Sequence, residues 1–260
     1  VVLSVFAQYT TQFIVDDRTQ NVGVVKENGN VLFGKKYVAC GDSITDGGYT
    51  NADNISPDDY IYQEGYFVGK QIVYPREIAQ RNSMEYVHLA VSGMTLAINS
   101  SGGHSATNCF LAGAYQNIPS DADYVTMKFG INDLNFNTPI GTIDSDDTST
   151  FYGAWNVALA WITENRPKAH IGIIVSNGMN NVFSYADATI AICKKWGIPY
   201  IDEVYDAKVP LLHRVNRPNV IASVIQQKLE TFRISASNTH PNVVAQKFES
   251  AFIDTWMRTI

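Results

Sequence analysis

Four short segments of this chain contain residue types that acyl transfer uses, and the first runs from Gly41 to Thr45 with the sequence Gly-Asp-Ser-Ile-Thr. It directly follows the apolar run from Tyr37 to Cys40, which predicts a buried strand. In open α/β sheets, ligands bind beyond the carboxyl ends of the strands, and a glycine there lets the backbone turn sharply and expose the next side chain. Ser43 therefore stands where a nucleophile would lie. Gly, Asp and Ser also favour ordinary turns, so a plain turn is the alternative that this segment alone leaves open.

The other three segments supply candidate partners for Ser43. Gly93, in the stretch 90–95, can present an unobstructed backbone N–H to a ligand because it has no side chain. Asn132, in the Gly-Ile-Asn-Asp stretch 130–133, can donate from its amide to the same point. His240 lies just before the last predicted helix. Acyl transfer through a serine needs a histidine to take the serine proton and neutral donors to stabilise the oxyanion, so the four segments together indicate this chemistry.

From Lys36 onward, short apolar runs alternate with helical patterns, which predicts a parallel sheet with helices on both faces. The predicted strands are Tyr37 to Cys40, Tyr86 to Ala90, Tyr124 to Phe129, Ile171 to Ser176 and Ile198 to Ile201. The predicted helices are Pro75 to Arg81, Phe151 to Asn165, Tyr185 to Trp196 and Val243 to Met257. Three- and four-residue spacing in the last helix predicts a core-facing stripe of Val244, Phe248, Ala251, Phe252 and Trp256.

Residues 1–34 differ in character from the rest and predict a short N-terminal β appendage, the end of a stalk or of a preceding domain. Asn28-Gly29 lies between the β-rich stretches 23–27 and 30–33 and is a strong hairpin signal. Residues 35–260 are predicted to form one α/β domain. Within it, the stretches 48–69 and 99–118 are rich in Tyr, Asn, Ser and Gly and are predicted to be long loops.

In type and in order, the four polar segments resemble the motif blocks of the SGNH, or GDSL-like, hydrolase family, from about Lys36 to the C-terminus. The resemblance implies that Ser43 is the nucleophile, that His240 is the base, and that the N–H groups of Ser43 and Gly93 and the amide of Asn132 form the oxyanion hole. It also implies a three-layer α/β/α sandwich, flavodoxin-like, with about five parallel strands. No cofactor and no metal are implied.

The histidine segment departs from the family pattern, which has Asp three residues before the histidine where this chain has Ser237. A neutral partner can fix the tautomer of His240 but stabilises the imidazolium less than a carboxylate does. Ser237 Oγ or a backbone carbonyl can accept from the ring, the amide oxygen of Asn238 can do so, or an acid such as Asp202 can approach from another loop. We favour a neutral acceptor on the loop of His240.

Composition excludes several classes of partner. The chain has a formal net charge of -6 and no run of Lys or Arg, so neither nucleic acid nor an anionic membrane is expected as a principal partner. The three cysteines are widely spaced and odd in number, which predicts at least one free thiol and neither a disulfide framework nor a zinc pattern. The start lacks both an initiator Met and a signal peptide, which suggests a piece of a longer protein, and an extracellular, cell-surface or virion location is favoured.

The function predicted from these observations is a serine esterase that removes a small acyl group, with acetyl preferred, from a carbohydrate. Fourteen Tyr and polar, aromatic loops suit the faces and hydroxyls of sugars better than lipid chains. One alternative is a lipid or thioester hydrolase of the same family. Another is a carbohydrate-binding or adhesion module of a surface or virion fibre protein, with weakened catalysis, for which a homo-oligomer within a longer chain would be expected.

Four further polar residues have structural interpretations. His88 lies in a predicted strand and is expected to be packed in the core, whereas His104 is expected to be a solvated loop histidine. Asp42 and Asp133 flank the candidate site residues and are interpreted as hydrogen-bond acceptors that fix their loops.

Overall fold

A computed structural model describes residues 4–6, 10–16, 21–27, 29–47, 61–63, 66–68, 73–175, 183–203, 231–232 and 240–260. Near the N-terminus, an antiparallel sheet contains β1 (Ser4–Phe6), β2 (Thr10–Asp16) and β3 (Asn21–Glu27). The central sheet has five strands in the order β10-β9-β8-β4-β7, and all its neighbouring strands are parallel. They are β4 (Lys36–Gly41), β7 (Glu85–Ala90), β8 (Tyr124–Lys128), β9 (His170–Val175) and β10 (Tyr200–Asp202). The remaining strands, β5 (Ile61–Gln63) and β6 (Tyr66–Val68), pair with each other in an antiparallel hairpin.

Six α-helices are described in these ranges: α1 (Ser43–Asp46), α2 (Tyr74–Arg81), α3 (Ile131–Asn135), α4 (Phe151–Asn165), α5 (Ser184–Trp196) and α6 (Val243–Met257). Local signals explain where the long helices begin and end. Thr150 Oγ1 accepts from the N–H of Gly153 to cap α4, and Asn242 Oδ1 accepts from the N–H of Ala245 to cap α6. Gly197 ends α5 in the left-handed conformation, at φ 65°.

Alternate residues of β4, an inner strand of the central sheet, face two different hydrophobic cores. Val38 and Cys40 are buried in a core that α4 and α5 cover, whereas Tyr37 and Ala39 are buried in a second core that α2 and α6 cover. A strand buried on both faces has nearly continuous apolar residues, which is the pattern of Tyr37 to Cys40. The predicted three-layer α/β/α sandwich with five parallel strands is therefore confirmed.

The prediction for the buried face of α6 is wrong. Phe248 is 37% exposed, Ala251 is also exposed, and the other predicted members are only half-buried. The buried side instead includes four polar residues, Gln246, Glu249, Ser250 and Asp254. Each has a hydrogen-bond or ion-pair partner from outside the helix. A polar side chain is buried at low cost when such a partner is present, and hydrophobic periodicity takes no account of partners.

The predicted hairpin around Asn28-Gly29 is also wrong. Strand β3 pairs with β2, which precedes it in the chain, rather than with the stretch 30–33 that follows it, and Glu27 lies opposite Thr11. Residues 31–34 form a turn rather than a strand, and Leu32 from this turn is buried in the core beneath α2 and α6. The division at residue 34 into an appendage and a main domain stays a prediction.

The two stretches predicted as long loops are partly structured. Within 48–69, the described residues form the hairpin of β5 and β6, and the others lie outside the described ranges. The stretch 99–118 contains three short 3-10 helices, Ser101–Gly103, Phe110–Ala112 and Ala114–Asn117. Backbone hydrogen bonds join this stretch to Thr95 and Leu96, the segment just before it: the N–H of Thr95 donates to Asn108 O, and the N–H groups of Phe110 and Leu111 donate to Thr95 O and Leu96 O.

Among the described residues, no helix is long and apolar enough to cross a membrane. Nor do the described parts of the chain contain a cluster of three or more His, Cys, Asp or Glu side chains that could hold a metal ion. All three cysteines are free and buried, which confirms the prediction of at least one free thiol.

Candidate active site

The candidate site lies at the carboxyl edge of the central sheet. Gly41, the last residue of β4, pairs with Ala90 at the end of β7 and with Lys128 at the end of β8. Because the three strands are parallel and in register, the segments after them leave the sheet at the same edge. These segments contain three of the predicted site residues, Ser43, Gly93 and Asn132.

The turn that presents Ser43 is built by its neighbours. Asp42 caps α1 by accepting from the N–H of Ile44 at 3.0 Å, and Ser43 is the first residue of that helix. Gly41 is needed where the turn begins, because a Cβ there would collide with the side chain of Thr45. Since the first N–H groups of a helix have no partner within it, the Ser43 N–H can point at a ligand. No described residue accepts a hydrogen bond from it.

The structure brings Ser43 and His240 into direct contact. His240 Nε2 lies 2.7 Å from Ser43 Oγ, within hydrogen-bond reach. Burial lowers the pKa of His240 from its usual 6.5, so the imidazole is neutral at pH 7 and can accept the serine proton. His240 directly precedes Pro241 and Asn242, and α6 begins at the next residue. The position of α6 therefore sets the position of the imidazole.

Asn132 and Gly93 are held next to each other. Asn132 is 8% exposed, and its Nδ2 donates to Met94 O at 3.0 Å, which uses one amide hydrogen and leaves the other for a ligand. Gly93 has φ 79°, a conformation that favours glycine, and Asn108 Nδ2 donates to Ser92 O at 3.1 Å beside it. Within the described chain, no acceptor is bonded to the N–H of Gly93.

Two buried carboxyl groups fix the backbone around these residues, as predicted. Asp133 accepts from the N–H groups of Leu96 at 2.9 Å and Ala97 at 3.2 Å, which ties α3 to the segment after Gly93. Burial raises the pKa of Asp133 to about 6, although the two N–H donors oppose that shift. Burial likewise raises the pKa of Asp42 to about 7.

Asp46 connects α1, the helix that begins with Ser43, to the segment that leads to Gly93, and no role was predicted for Asp46 from the sequence. Its Oδ2 accepts from Ser92 Oγ at 2.6 Å, and its Oδ1 lies 3.0 Å from His88 Nε2. Tyr86 OH is 2.8 Å from the other ring nitrogen of His88. An acid one helical turn after the candidate nucleophile is the only sequence signal for this connection.

The predictions for two other histidines are wrong. His88 is not packed in the core but is half-buried, because β7 is an edge strand of the sheet. His104 is not a solvated loop residue, since it is buried and stacks on Phe136 with a ring-centroid distance of 4.3 Å. His104 Nε2 also lies 3.1 Å from Thr95 Oγ1. It therefore helps to fold the 95–109 segment.

Beneath the site, one lysine lies between two buried carboxyl groups. Lys128 Nζ, at the end of β8, forms ion pairs with Glu203 at 2.8 Å and with Glu249 of α6, and all three side chains are almost completely buried. Burial by itself would lower the pKa of Lys128, but the two carboxylates raise it above its ordinary value. Burial also raises the pKa of Glu203, and neighbouring Glu249 adds to that shift.

The partner of the second ring nitrogen of His240 stays a prediction. Ser237 and Asn238 lie outside the described residues. Asp202 is the last residue of β10, at the carboxyl edge where the site lies.

The sequence matches no protein-family model and no curated protein sequence. Its fold, however, matches solved structures over most of the chain. A GDSL-like lipase from Bacteroides ovatus superposes with a TM-score of 0.61 at 16% identity, covering 87% of this chain and 100% of that one. The chain therefore has the fold of the SGNH, or GDSL-like, hydrolases.

Carbohydrate esterases have the same fold. A family two carbohydrate esterase from Clostridium thermocellum, solved in complex with cellohexaose, superposes with a TM-score of 0.53 at 14% identity, covering 92% of this chain and 69% of that one. Another solved structure, of a carbohydrate esterase whose active site displays divergent catalytic and non-catalytic binding functions, superposes with a TM-score of 0.56 at 14% identity. It covers 93% of this chain and 72% of that one.

Proposed function

We propose that this chain is a serine esterase that acts through an acyl-enzyme on Ser43. The observation that carries the proposal is the 2.7 Å contact between Ser43 Oγ and His240 Nε2 at the carboxyl edge of a parallel sheet. A nucleophile and a neutral base in hydrogen-bond contact are the minimum machinery for acyl transfer. The fold similarity to lipases and carbohydrate esterases supports the same chemistry.

The proposed reaction has two halves. Ser43 Oγ attacks the ester carbonyl carbon while His240 Nε2 takes its proton, and the N–H groups of Ser43 and Gly93 with the Asn132 amide stabilise the oxyanion. As the tetrahedral intermediate collapses, the alcohol leaves with the proton from His240. Water then attacks the acyl-enzyme with His240 as base, which releases the carboxylic acid and restores Ser43.

The proposed substrate is a carbohydrate that carries a small acyl group, with acetyl preferred. The chain contains 14 Tyr, whose rings can stack on sugar faces and whose hydroxyls can bond to sugar hydroxyls. One structural neighbour was solved with cellohexaose. Nitrophenyl esters of increasing chain length separate this substrate from a lipid, because preference for a long chain over acetate would favour a lipid or thioester hydrolase.

Replacing Ser43 with Ala tests the mechanism. We expect kcat for p-nitrophenyl acetate to fall by at least about 10,000-fold, because removing the nucleophile leaves only the residual catalysis of binding and oxyanion stabilisation. The matched control is Ser149→Ala at an exposed serine, which should leave kcat unchanged. Circular dichroism should show both variants folded. Turnover by Ser43→Ala at a rate near that of the wild type would rule out the proposed nucleophile.

A binding module is the second candidate function. It is favoured by Ser237, which stands where the family has an acid, and by the neighbour whose active site has non-catalytic binding functions. Calorimetry with an acetylated polysaccharide, combined with an assay for released acetate, separates the two candidates. Tight binding by the wild type without acetate release would favour the module, whereas turnover that is lost in Ser43→Ala supports the esterase.

A further inference from the structure

The helix that follows His240 is attached to the nucleophile turn by one buried glutamine. Gln246 of α6 is fully buried, and its Nε2 donates to the carbonyl oxygen of Ile44 at 3.0 Å. Its Oε1 accepts from the N–H of Tyr74, the first residue of α2, at 2.8 Å. Both ends of the amide are therefore used, and each partner is a backbone group whose position does not depend on a side-chain rotamer.

Both ends of this connection lie close to the reacting atoms. Ile44 directly follows Ser43 in α1. Gln246 lies six residues after His240. Asn242, between them, caps α6, so the chain passes from His240 into the helix within three residues. The contact between Ser43 and His240 joins residues 197 positions apart, so tertiary contacts must bring them together. Gln246 joins α6, which follows His240, to α1, which contains Ser43.

We propose that Gln246 is a positioning residue that sets the separation between Ser43 Oγ and His240 Nε2. It touches neither the substrate nor the reacting atoms and acts through the backbone of Ile44. The proposal rests on the esterase function proposed above. A misplacement of about 1 Å between two reacting groups can reduce the rate about 100-fold. The position of α6 relative to α1 therefore affects the rate, because it sets how far His240 lies from Ser43.

Ser250 offers a matched control on the same helix. It lies one turn beyond Gln246, is fully buried, and its Oγ accepts from Arg81 Nη2 at 3.0 Å. This bond ties α6 to the end of α2 and makes no contact with α1. Replacing Ser250 with Ala therefore weakens the attachment of α6 without cutting its connection to the nucleophile turn.

The experiment compares Gln246→Met and Ser250→Ala with the wild type in the full chain. For Gln246→Met, which keeps the side-chain length but has neither the amide N–H that bonds to Ile44 nor the amide oxygen that accepts from Tyr74, we expect kcat for p-nitrophenyl acetate to fall by about 10- to 100-fold with KM within about twofold. Phosphonylation of Ser43 by a p-nitrophenyl phosphonate, which also needs the activated serine, should slow by a similar factor. Ser250→Ala should lower the melting temperature while keeping kcat and the phosphonylation rate.

A second variant keeps the test decisive if Gln246→Met does not fold. In Gln246→Glu, the carboxyl can still accept from Tyr74, but it can donate to Ile44 only when protonated. Its kcat relative to wild type should therefore fall as pH rises from 6 to about 9. If the kcat of Gln246→Glu relative to the wild type stays near one at every pH, the positioning role is overturned while the esterase proposal stands. The same conclusion follows if Gln246→Met and Ser250→Ala have the same kcat. A wild type that neither turns over the ester nor reacts with the phosphonate would overturn the esterase proposal and this one together.

Discussion

At the level of single residues, the proposed mechanism requires that His240 be neutral when it activates Ser43. Only a neutral imidazole can accept the serine proton, and burial lowers the pKa of His240 from 6.5. Burial thus keeps the base neutral at lower pH than an exposed histidine would allow. A neutral neighbour such as Ser237 would orient the ring without raising this pKa as a carboxylate does.

The pH dependence of kcat/KM tests this account. We expect kcat/KM to rise with pH as His240 loses its proton, with the midpoint of the acid limb below 6.5. The same shift acts on stability with a definite sign. The unfolded chain binds more protons than the folded chain between the lowered pKa and 6.5, so the free energy of unfolding falls as pH falls through that window. A kinetic midpoint at pH 7 or above would contradict the predicted neutral partner of His240 and indicate a carboxylate partner.

At the scale of elements, the site depends on contacts between the short helix α1 and segments from other strands. The Asp46 carboxylate joins the end of α1 to Ser92, next to Gly93. The register of β4 with β7 and β8 brings these segments to one edge, but it does not fix their side chains. Buried hydrogen bonds to charged groups do so, because leaving a buried carboxylate without its partners is costly.

Replacing Asp46 with Ala should therefore weaken both the site and the fold. We expect kcat to fall about tenfold as the Gly93 segment loosens, and the free energy of unfolding to fall by about 1 to 3 kcal/mol. His88→Ala is the matched control, since it removes the second partner of Asp46 and leaves the Ser92 bond. Ester kinetics and urea unfolding measure the two effects. An equal loss of kcat in both variants would show that the Ser92 bond has no special role.

At the scale of the whole molecule, a buried ion cluster connects the sheet to α6. Lys128 from β8 pairs with Glu203 beyond β10 and with Glu249 of α6, and its ammonium lies 5.3 Å from the ring centre of Tyr74 in α2. One positive charge thus links β8 to α6, to α2 and to the residue that follows β10. Removing one member of a buried ion group leaves the others uncompensated.

Lys128→Met should strongly destabilise the fold. We expect the free energy of unfolding to fall by about 3 to 5 kcal/mol, since two carboxyl groups would stay buried without their cation. Lys36→Met is the matched control in the same sheet, because Lys36 pairs with Asp121 and Glu85 at the surface and its loss should change stability little. Urea unfolding followed by fluorescence gives both values. Equal stability losses in the two variants would contradict the structural role of the buried cluster.

The amino-acid sequence is sufficient to predict the alternating order of strands and helices. The bounds predicted for Phe151 to Asn165 and for Val243 to Met257 match α4 and α6, because apolar spacing and caps are local signals. It also put Ser43, Gly93 and Asn132 just beyond three strands, since a strand and the turn after it are adjacent in the chain. These inferences needed only neighbouring residues.

In contrast, contacts between distant segments of the chain set which side of α6 is buried and how Ser43 meets His240. Gln246 and Glu249 face inward because Ile44, Tyr74 and Lys128, all more than 100 positions away, supply their hydrogen-bond or ion-pair partners. The hairpin at Asn28-Gly29 failed for a related reason, because β3 pairs with β2 instead. The cost of burying a polar group, like the pairing of a strand, depends on partners that are distant in sequence, and periodicity within one segment does not reveal them.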